Sequence, residues 1–327
     1  MEPSNTPEEN MPFLYFLEGL RNPVFDFIFS FITLFGEETI FMVVGLLFFW
    51  CVSKTQGYYL LCTGFVGTMI NQFLKMLFRI PRPWVQDPNF TIVESAREGA
   101  TGYSFPSGHT QTSVGLFGGI ARANKTLWLR IASIAICILV PLSRMYLGVH
   151  TPLDVSISVG IALLLVFVGY PLFCKAAESP KLMYSILITI SVLMAAYLVF
   201  INVYTFPEDV YSKLNIHNLE SARENAFTLM GCAIGFTVVY TVDNKWLKFD
   251  TKAVWWIQII KVVGGLLVVL AVKELAKIPL CAILPEDSWA RLIRYFLVAI
   301  TGGVLWPMTF KPLNKFADKI GKKEIER

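Results

Sequence analysis

Apolar runs long enough to cross a lipid bilayer recur along the whole of this 327-residue chain. A hydrocarbon core of ~30 Å takes roughly 17 to 25 residues of helix, and roughly eight or nine stretches reach that length. The composition agrees, because 55% of the residues are hydrophobic and 16% are charged, whereas about 25% are charged in an ordinary globular protein. The sequence therefore predicts an all-α fold, a polytopic transmembrane helical bundle.

Hydropathy gives the approximate limits of each predicted span. The first is expected to be broken near Gly36, where a glycine follows a long run of aromatic residues. The predicted spans are 24–51, 58–78, 107–121, 127–146, 152–173, 182–203, 225–242, 254–272 and 290–309.

The basic residues fall mainly on one side of this arrangement. The connections after the first, third, fifth and seventh spans carry Lys54, Lys125, Lys175 and Lys245, and the chain ends in a Lys-rich tail. Short cytoplasmic loops are enriched in Lys and Arg, so we expect this side, with the C-terminus, to be cytoplasmic. The connections 81–106, 148–152, 205–223 and 273–287 are then expected to face outward.

Two function classes have little support in the composition. The net charge is +4, and no Lys/Arg block interleaved with aromatic residues occurs, so no nucleic-acid partner is expected. The six cysteines lie mostly inside apolar segments without a CxxC pair, which favours small hydrophobic residues over metal ligands. No Asp/Glu cluster and no HExxH appears, so neither a metal nor another cofactor is expected.

The stretch KMLFRIPRP places two cations at the outer end of the second span. Lys75 and Arg82 are seven residues apart, two helical turns, so both leave the same face of the helix. Pro81 and Pro83 hold Arg82 in an extended exit. Taken alone, these cations are better explained as a helix-end anchor at the lipid headgroups.

The stretch FPSGHTQT opens the third span. Ser107 is placed as an N-cap, and the free backbone N–H groups after it make an anion-binding site that Gly108 leaves open to close approach. His109 follows in the first turn. A lone histidine at this position is more simply a capping or interface residue.

The stretch SRMYLGVHTPLDV contains Ser143, Arg144, His150 and Asp154. Thr151 as N-cap, Pro152 at the first helical position and Asp154 two residues later form a strong helix start, so Asp154 has a structural role as a cap. The same spacing lets the carboxylate orient the imidazole of His150.

Together the three stretches bring two of the chain's three histidines and several cations to one membrane face. Ionisable groups at this depth are costly and usually functional. One shared anion-binding site accounts for all of them, whereas separate structural roles would have to coincide.

The same three stretches resemble the signatures of the type 2 phosphatidic acid phosphatase family of integral membrane lipid phosphatases. KMLFRIPRP is similar to its K-x6-R-P signature, PSGH to the second, and SRMYLGVHTPLD to S-R-x5-H-x3-D. The resemblance covers roughly residues 22–173, including the stretch RNPVFDFIFSFITLFGEET. It implies a six-helix phosphatase core, with about three additional C-terminal transmembrane helices that the signatures do not explain.

The resemblance also implies a mechanism. His150 would attack phosphorus to give a phosphohistidine, Asp154 would hold the other ring nitrogen, and His109 would act as general acid and then as general base. Lys75, Arg82, Arg144, Ser107 and the Gly108 N–H would bind the phosphate, with Ser143 and Pro106 in support. Because the cations occupy the role that metal ions play in other phosphatases, the reaction is expected to be metal-independent.

These expectations divide the chain into three parts: an N-terminal tail and interfacial segment at 1–21, the catalytic core at 22–203, and additional helices with a basic cytoplasmic tail at 204–327. The expected partner is a lipid phosphate in the bilayer, presented on the extracytoplasmic face of the cell membrane. Phosphatidic acid, phosphatidylglycerol phosphate, lysophospholipid phosphates, sphingoid phosphates and undecaprenyl diphosphate all fit, and the oligomeric state stays open.

Other functions remain open on the sequence alone. Within enzymes, the same nucleophile serves a lipid phosphotransferase, a sphingoid-phosphate phosphatase or a phosphatase of a soluble ester. From a different class, the extra spans and the intramembrane Lys261 suggest a lipid transporter or scramblase. A non-catalytic scaffold is disfavoured, because a decayed site should have lost one of these residues. His217 matches no motif and is best explained as a solvated loop histidine.

Overall fold

The computed structural model describes residues 11–212, 215–284 and 287–325, and this part of the chain is helical without a β-strand. Residues 1–10 of the predicted tail 1–21, and residues 326–327 at the end of the predicted basic tail, lie outside the described residues. The helices are α1 Met11–Gly19, α2 Pro23–Thr33, α3 Glu38–Leu47, α4 Lys54–Phe78, α5 Pro83–Gln86, α6 Gly108–Ala123, α7 Leu127–Tyr146, α8 Pro152–Glu178, α9 Pro180–Val203, α10 Ile216–Val242, α11 Trp255–Leu275, α12 Lys277–Ile283, α13 Asp287–Ile300 and α14 Phe310–Ile325.

The predicted all-α, polytopic architecture is confirmed. In the described residues, seven helices are long and apolar enough to cross a membrane. A pair of helices, Pro23–Gly36 and Glu38–Val52, is bent by 52° and can count as one further, broken span. The break falls beside Gly36, as the sequence predicts. The chain is thus a multi-pass membrane protein.

Helix α6 matches the predicted span 107–121 to within two residues and, like it, is short for a membrane-spanning helix. It has 16 residues, so at 1.5 Å per residue it is about 24 Å long, shorter than a hydrocarbon core of ~30 Å. A helix of this length that ends at one membrane surface begins below the other. Its first turn carries His109.

The residues form two compact units that interleave along the chain. Unit 1 comprises Met1–Met42, Leu60–Pro171 and Phe206–Ala222, and unit 2 comprises Val43–Tyr59, Leu172–Thr205 and Arg223–Arg327. These units do not follow the boundaries 22–203 and 204–327, which stay predictions.

In unit 1, α6 and α2 both pack on α7. Helix α1 lies against the connection after α5, where Met11, Leu14, Phe90 and Ile92 form a buried apolar cluster. Its other face exposes Phe16, as expected of a helix in the membrane interface. The hydroxyl of Tyr15 donates to Asp87 at 2.7 Å, which ties α1 to that connection.

Unit 2 is stabilised by polar contacts between helix ends. The Trp50 indole donates to the Gly302 carbonyl at 2.8 Å, and the Lys54 ammonium pairs with Asp243 at 2.7 Å. Lys261 is fully buried, and its Nζ donates to the carbonyls of Asp250 and Thr251. These carbonyls belong to the connection before α11, so the Lys261 side chain holds that connection in place.

Candidate active site

The first signature supplies two buried cations that hold one loop. Lys75 lies in the last turn of α4, and its Nζ donates to the Tyr103 carbonyl. Arg82 follows in extended backbone and donates from Nε to the Gly102 carbonyl at 3.1 Å and from Nη2 to the Thr101 carbonyl at 2.6 Å. The two cations thereby fix the loop that leads into the second signature.

The second signature forms the start of α6. Ser107 is fully buried and is the N-cap, where its hydroxyl oxygen accepts from the Thr110 N–H at 3.4 Å. The next residues, Gly108 and His109, are partly exposed. The Asn71 amide on α4 donates to the Pro106 carbonyl at 3.2 Å, just before the cap. Unpaired N–H groups of the first turn are therefore available to an anion.

The third signature forms the junction between α7 and α8. The predicted capping box is present, since the Thr151 N–H donates to Asp154 Oδ2 at 2.8 Å and the Asp154 N–H donates to Thr151 Oγ1 at 3.2 Å. Arg144 is buried near the end of α7. Ser143 donates to the Val140 carbonyl within α7 at 2.6 Å, so its hydroxyl stabilises its own helix.

The hydrogen bonds of His150 define its tautomer. Arg82 Nη1 lies 2.9 Å from His150 Nε2, and a guanidinium can only donate, so Nε2 accepts and bears the lone pair. The proton then resides on Nδ1, which lies 3.4 Å from Asp154 Oδ2. This is the arrangement that a nucleophilic imidazole requires: one nitrogen free of hydrogen and the other held by a carboxylate.

Burial and neighbouring positive charges both disfavour the protonated form of His150. Burial lowers the pKa of His150 well below its ordinary value, and the positive charges of Arg82, Arg144 and Lys75 act in the same direction. The charge of a protonated His109 lowers the pKa of His150 further. The structure thus brings both histidines and all three predicted cations into one electrostatic neighbourhood.

Ser104 belongs to this site, although sequence reasoning missed it. It is fully buried, and its hydroxyl donates to Asp154 Oδ2 at 2.5 Å. The same oxygen also accepts from the Thr151 N–H and faces His150 Nδ1. The position of Ser104 just before the FPSGH stretch is the only signal in the sequence, and it does not indicate the partner.

Two residues that the sequence left unassigned, His217 and Lys261, lie outside this arrangement. The predicted loop position of His217 is wrong: the residue lies in the first turn of α10, where it is exposed with its ring 3.9 Å from Glu220. Lys261 has the structural contacts described in unit 2. In the described ranges, no three His, Cys, Asp or Glu side chains come together as a metal site, and metal independence stays a prediction.

Comparison with known proteins identifies the family. The profile of the PAP2 superfamily matches residues 55–178, and that of the PAP2 superfamily phosphatase transmembrane extension matches residues 227–319. All three signatures fall within the first match.

Two curated relatives and one solved structure resemble the chain. A probable sphingosine-1-phosphate phosphatase of Dictyostelium discoideum is 26% identical over 169 residues, which are 48% of this chain and only 40% of that protein. Undecaprenyl-diphosphatase BcrC of Bacillus subtilis (strain 168) is 28% identical over 155 residues, 46% of this chain and 76% of that protein. The crystal structure of Aquifex aeolicus LpxE aligns with a TM-score of 0.43 at 22% identity, over 50% of this chain and 94% of that chain. By its three signatures and both profile matches, the chain belongs to the PAP2 superfamily.

Proposed function

We propose that the protein is a membrane-embedded phosphatase of lipid phosphates or diphosphates that works through a phosphohistidine at His150. The observation that carries the proposal is the His150 ring, with Nε2 accepting from Arg82 and Nδ1 facing Asp154. A neutral imidazole held in this tautomer is a ready nucleophile.

In the first step, His150 Nε2 attacks phosphorus, and the bond from phosphorus to the leaving oxygen breaks. His109, partly exposed in the first turn of α6, gives its proton to that oxygen. Arg82 Nη1 already lies beside His150 Nε2, so its hydrogen bond can change from Nε2 to a phosphoryl oxygen as the phosphorus approaches. Lys75, Arg144 and the N–H groups after Ser107 stabilise the charge on the other oxygens.

In the second step, His109 takes a proton from water, and the resulting hydroxide attacks the phosphohistidine. The N–P bond breaks, orthophosphate leaves, and the electron pair returns to Nε2. Each histidine ends in the protonation state in which it began, so the cycle is closed.

The proposed substrate class is based on the expected depth of the site in the membrane. A helix of the length of α6 that ends at one membrane surface begins below the other, and the proposed site lies at its first turn, so a phosphate carried on a bilayer lipid can reach it. The relatives act, by name, on undecaprenyl diphosphate and sphingosine 1-phosphate, and both are lipids of this kind. We propose the extracytoplasmic face for the site, because the basic connections lie at the other end of the spans.

A substrate panel tests the proposal. The full chain, purified in detergent, is assayed at neutral pH with EDTA against undecaprenyl diphosphate, a sphingoid phosphate, phosphatidic acid and a soluble phosphate ester. We expect phosphate release from at least one lipid, insensitivity to EDTA, and loss of activity in His150→Ala. Loss of activity in EDTA would overturn metal independence.

His217→Ala is the matched control, because His217 is the chain's remaining histidine and is exposed in the first turn of α10. It should hydrolyse lipid phosphate like the wild type. Hydrolysis that persists in His150→Ala contradicts the phosphohistidine, and transfer of phosphate to an added acceptor lipid in place of release identifies a phosphotransferase. Lipid movement across vesicles without any hydrolysis favours the transporter function.

A further inference from the structure

The break in the first span places a threonine beside an active-site arginine. Helix α2 ends at Thr33, a tight turn covers Leu34–Gly36, and α3 begins at Glu38. Thr33 is buried, and its Oγ1 accepts a hydrogen bond of 2.8 Å from Arg144 Nη1. The two residues are 111 positions apart in the chain, so this contact exists only in the folded unit.

The contact leaves one complete edge of the guanidinium available. Arg144 is 1% exposed, and its Nε and Nη2 are buried without a hydrogen-bond partner among the described residues. These two nitrogens form the side of the guanidinium that binds two oxygens of one phosphate in parallel. Buried donors of this kind are costly unless something binds them, and Thr33 occupies the nitrogen outside the fork.

The same turn also lies against His109. A Cβ on Gly36 would be 2.8 Å from His109 Cβ and 2.9 Å from the His109 carbonyl oxygen. Only a glycine allows this approach of the turn to α6. The break therefore contacts the residue proposed as general acid and, through Thr33, the arginine proposed as phosphate ligand.

We propose that Thr33 is a positioning residue for phosphoryl recognition: it holds Arg144 so that the Nε–Nη2 edge faces the phosphate. This inference rests on the proposed function, since it assigns the orientation of one of its phosphate ligands. Thr33 lies outside both regions matched by the family profiles, 55–178 and 227–319, and is not part of the three signatures.

Thr33→Val tests the inference, because valine keeps the shape of threonine and removes the acceptor. We expect kcat/KM to fall roughly 10- to 100-fold, the range of a lost hydrogen bond to a charged group. Inhibition by orthophosphate should weaken in parallel, since the same fork binds the product. Thr33→Ser keeps the hydroxyl and should restore kcat/KM to within a few-fold of the wild type.

Thr63→Val is the matched control. Thr63 is also buried in unit 1, but it lies twelve residues before Lys75 on α4, about 18 Å along the helix. It should keep both kcat/KM and the orthophosphate inhibition constant of the wild type.

A double-mutant cycle separates positioning from a general structural role. Lysine has no fork to orient, so Thr33→Val should cause no further loss of kcat/KM in an Arg144→Lys background. The same loss in both backgrounds, or wild-type kinetics in Thr33→Val, overturns the inference. If Arg144→Lys alone leaves kcat/KM and orthophosphate inhibition unchanged, the proposed phosphate site itself is wrong.

Discussion

At the scale of single residues, the proposed nucleophile, His150, depends on contacts that no local motif contains. The proposed site residues could be identified from the sequence because each lies at a fixed spacing within a signature. Ser104 and Thr33 could not, because their partners Asp154 and Arg144 are 50 and 111 positions away. Such pairs are set by tertiary packing, which a single sequence does not reveal.

The first residue-scale prediction concerns pH. Because burial and neighbouring cations lower the pKa of His150, the imidazole stays neutral to a lower pH than a free histidine, whose pKa is about 6.5. The pH profile of kcat/KM, corrected for ionisation of the substrate, should therefore fall on the acid side with an apparent pKa below about 6.5. An acid limb above that value contradicts a nucleophile held neutral by its surroundings.

The same shift has a stability consequence. A histidine whose folded pKa is lowered binds protons more readily in the unfolded chain, so its contribution to stability is present above the unfolded pKa and is lost as the pH falls below it. Thermal unfolding in detergent should show the midpoint of the wild type falling below about pH 6.5 more steeply than that of His150→Gln.

The second residue-scale prediction concerns Ser104. Removing its hydroxyl takes one donor from Asp154 Oδ2, which then orients His150 less well. Ser104→Ala should lower kcat roughly 10- to 100-fold with a smaller change in KM. The matched control is Ser158→Ala, since Ser158 is equally buried but donates to the Asp154 backbone carbonyl at 2.8 Å. Equal losses in the two variants would show that the carboxylate contact has no special role.

At the scale of helices, hydropathy predicts where spans lie but not how deep each begins. The break near Gly36 was predicted from a glycine in a long apolar run and is present. The short length of α6 agrees with the predicted span 107–121, but hydropathy does not report where a cap such as Ser107 lies in the membrane. The residues of the proposed site lie at or beside two places, the break near Gly36 and the start of α6.

Gly36→Ala tests the importance of the break. Its added methyl group would lie 2.8 Å from His109 Cβ, so the turn must move away from α6. We expect a destabilisation of about 1 to 3 kcal/mol and at least a roughly tenfold lower kcat, since His109 shifts with the turn. Thermal unfolding and phosphate release measure the two effects.

Gly160→Ala provides the comparison. Apart from the neighbouring backbone of α8 itself, no atom of the described residues lies within 4 Å of a Cβ at Gly160, and alanine is the better helix former by roughly 0.5 to 1 kcal/mol. Its stability should equal or exceed that of the wild type, with unchanged kcat. A Gly36→Ala variant that behaves in the same way would show that close packing on His109 is unimportant.

At the scale of the whole molecule, the class of protein was predictable from the sequence, but the grouping of its helices into two compact units was not. Apolar runs of sufficient length predict a membrane protein because bilayer thickness fixes helix length. Compact units depend on which helices pack together. Here residues 206–222, beyond the predicted core, group with unit 1, which contains the three signatures. Long-range packing of this kind leaves no periodic signal in the sequence.

The membrane orientation is a whole-molecule prediction. In a background without the native cysteines, Glu98→Cys and Lys125→Cys place thiols at exposed positions in connections expected on opposite sides. A membrane-impermeant maleimide should label Glu98→Cys in intact cells and Lys125→Cys only after permeabilisation, because we expect the basic connections to be cytoplasmic. The reverse labelling pattern would place the active site on the cytoplasmic face.

The most direct test of the central claim is to trap the phosphoenzyme. Full-length protein is mixed with a lipid substrate labelled in its terminal phosphate and quenched in alkali, in which a phosphohistidine survives and a phosphoserine ester is eliminated. We predict alkali-stable label on a peptide containing His150, equal labelling in His217→Ala, and none in His150→Ala. Label on another residue, or unchanged labelling in His150→Ala, would contradict His150 as the nucleophile.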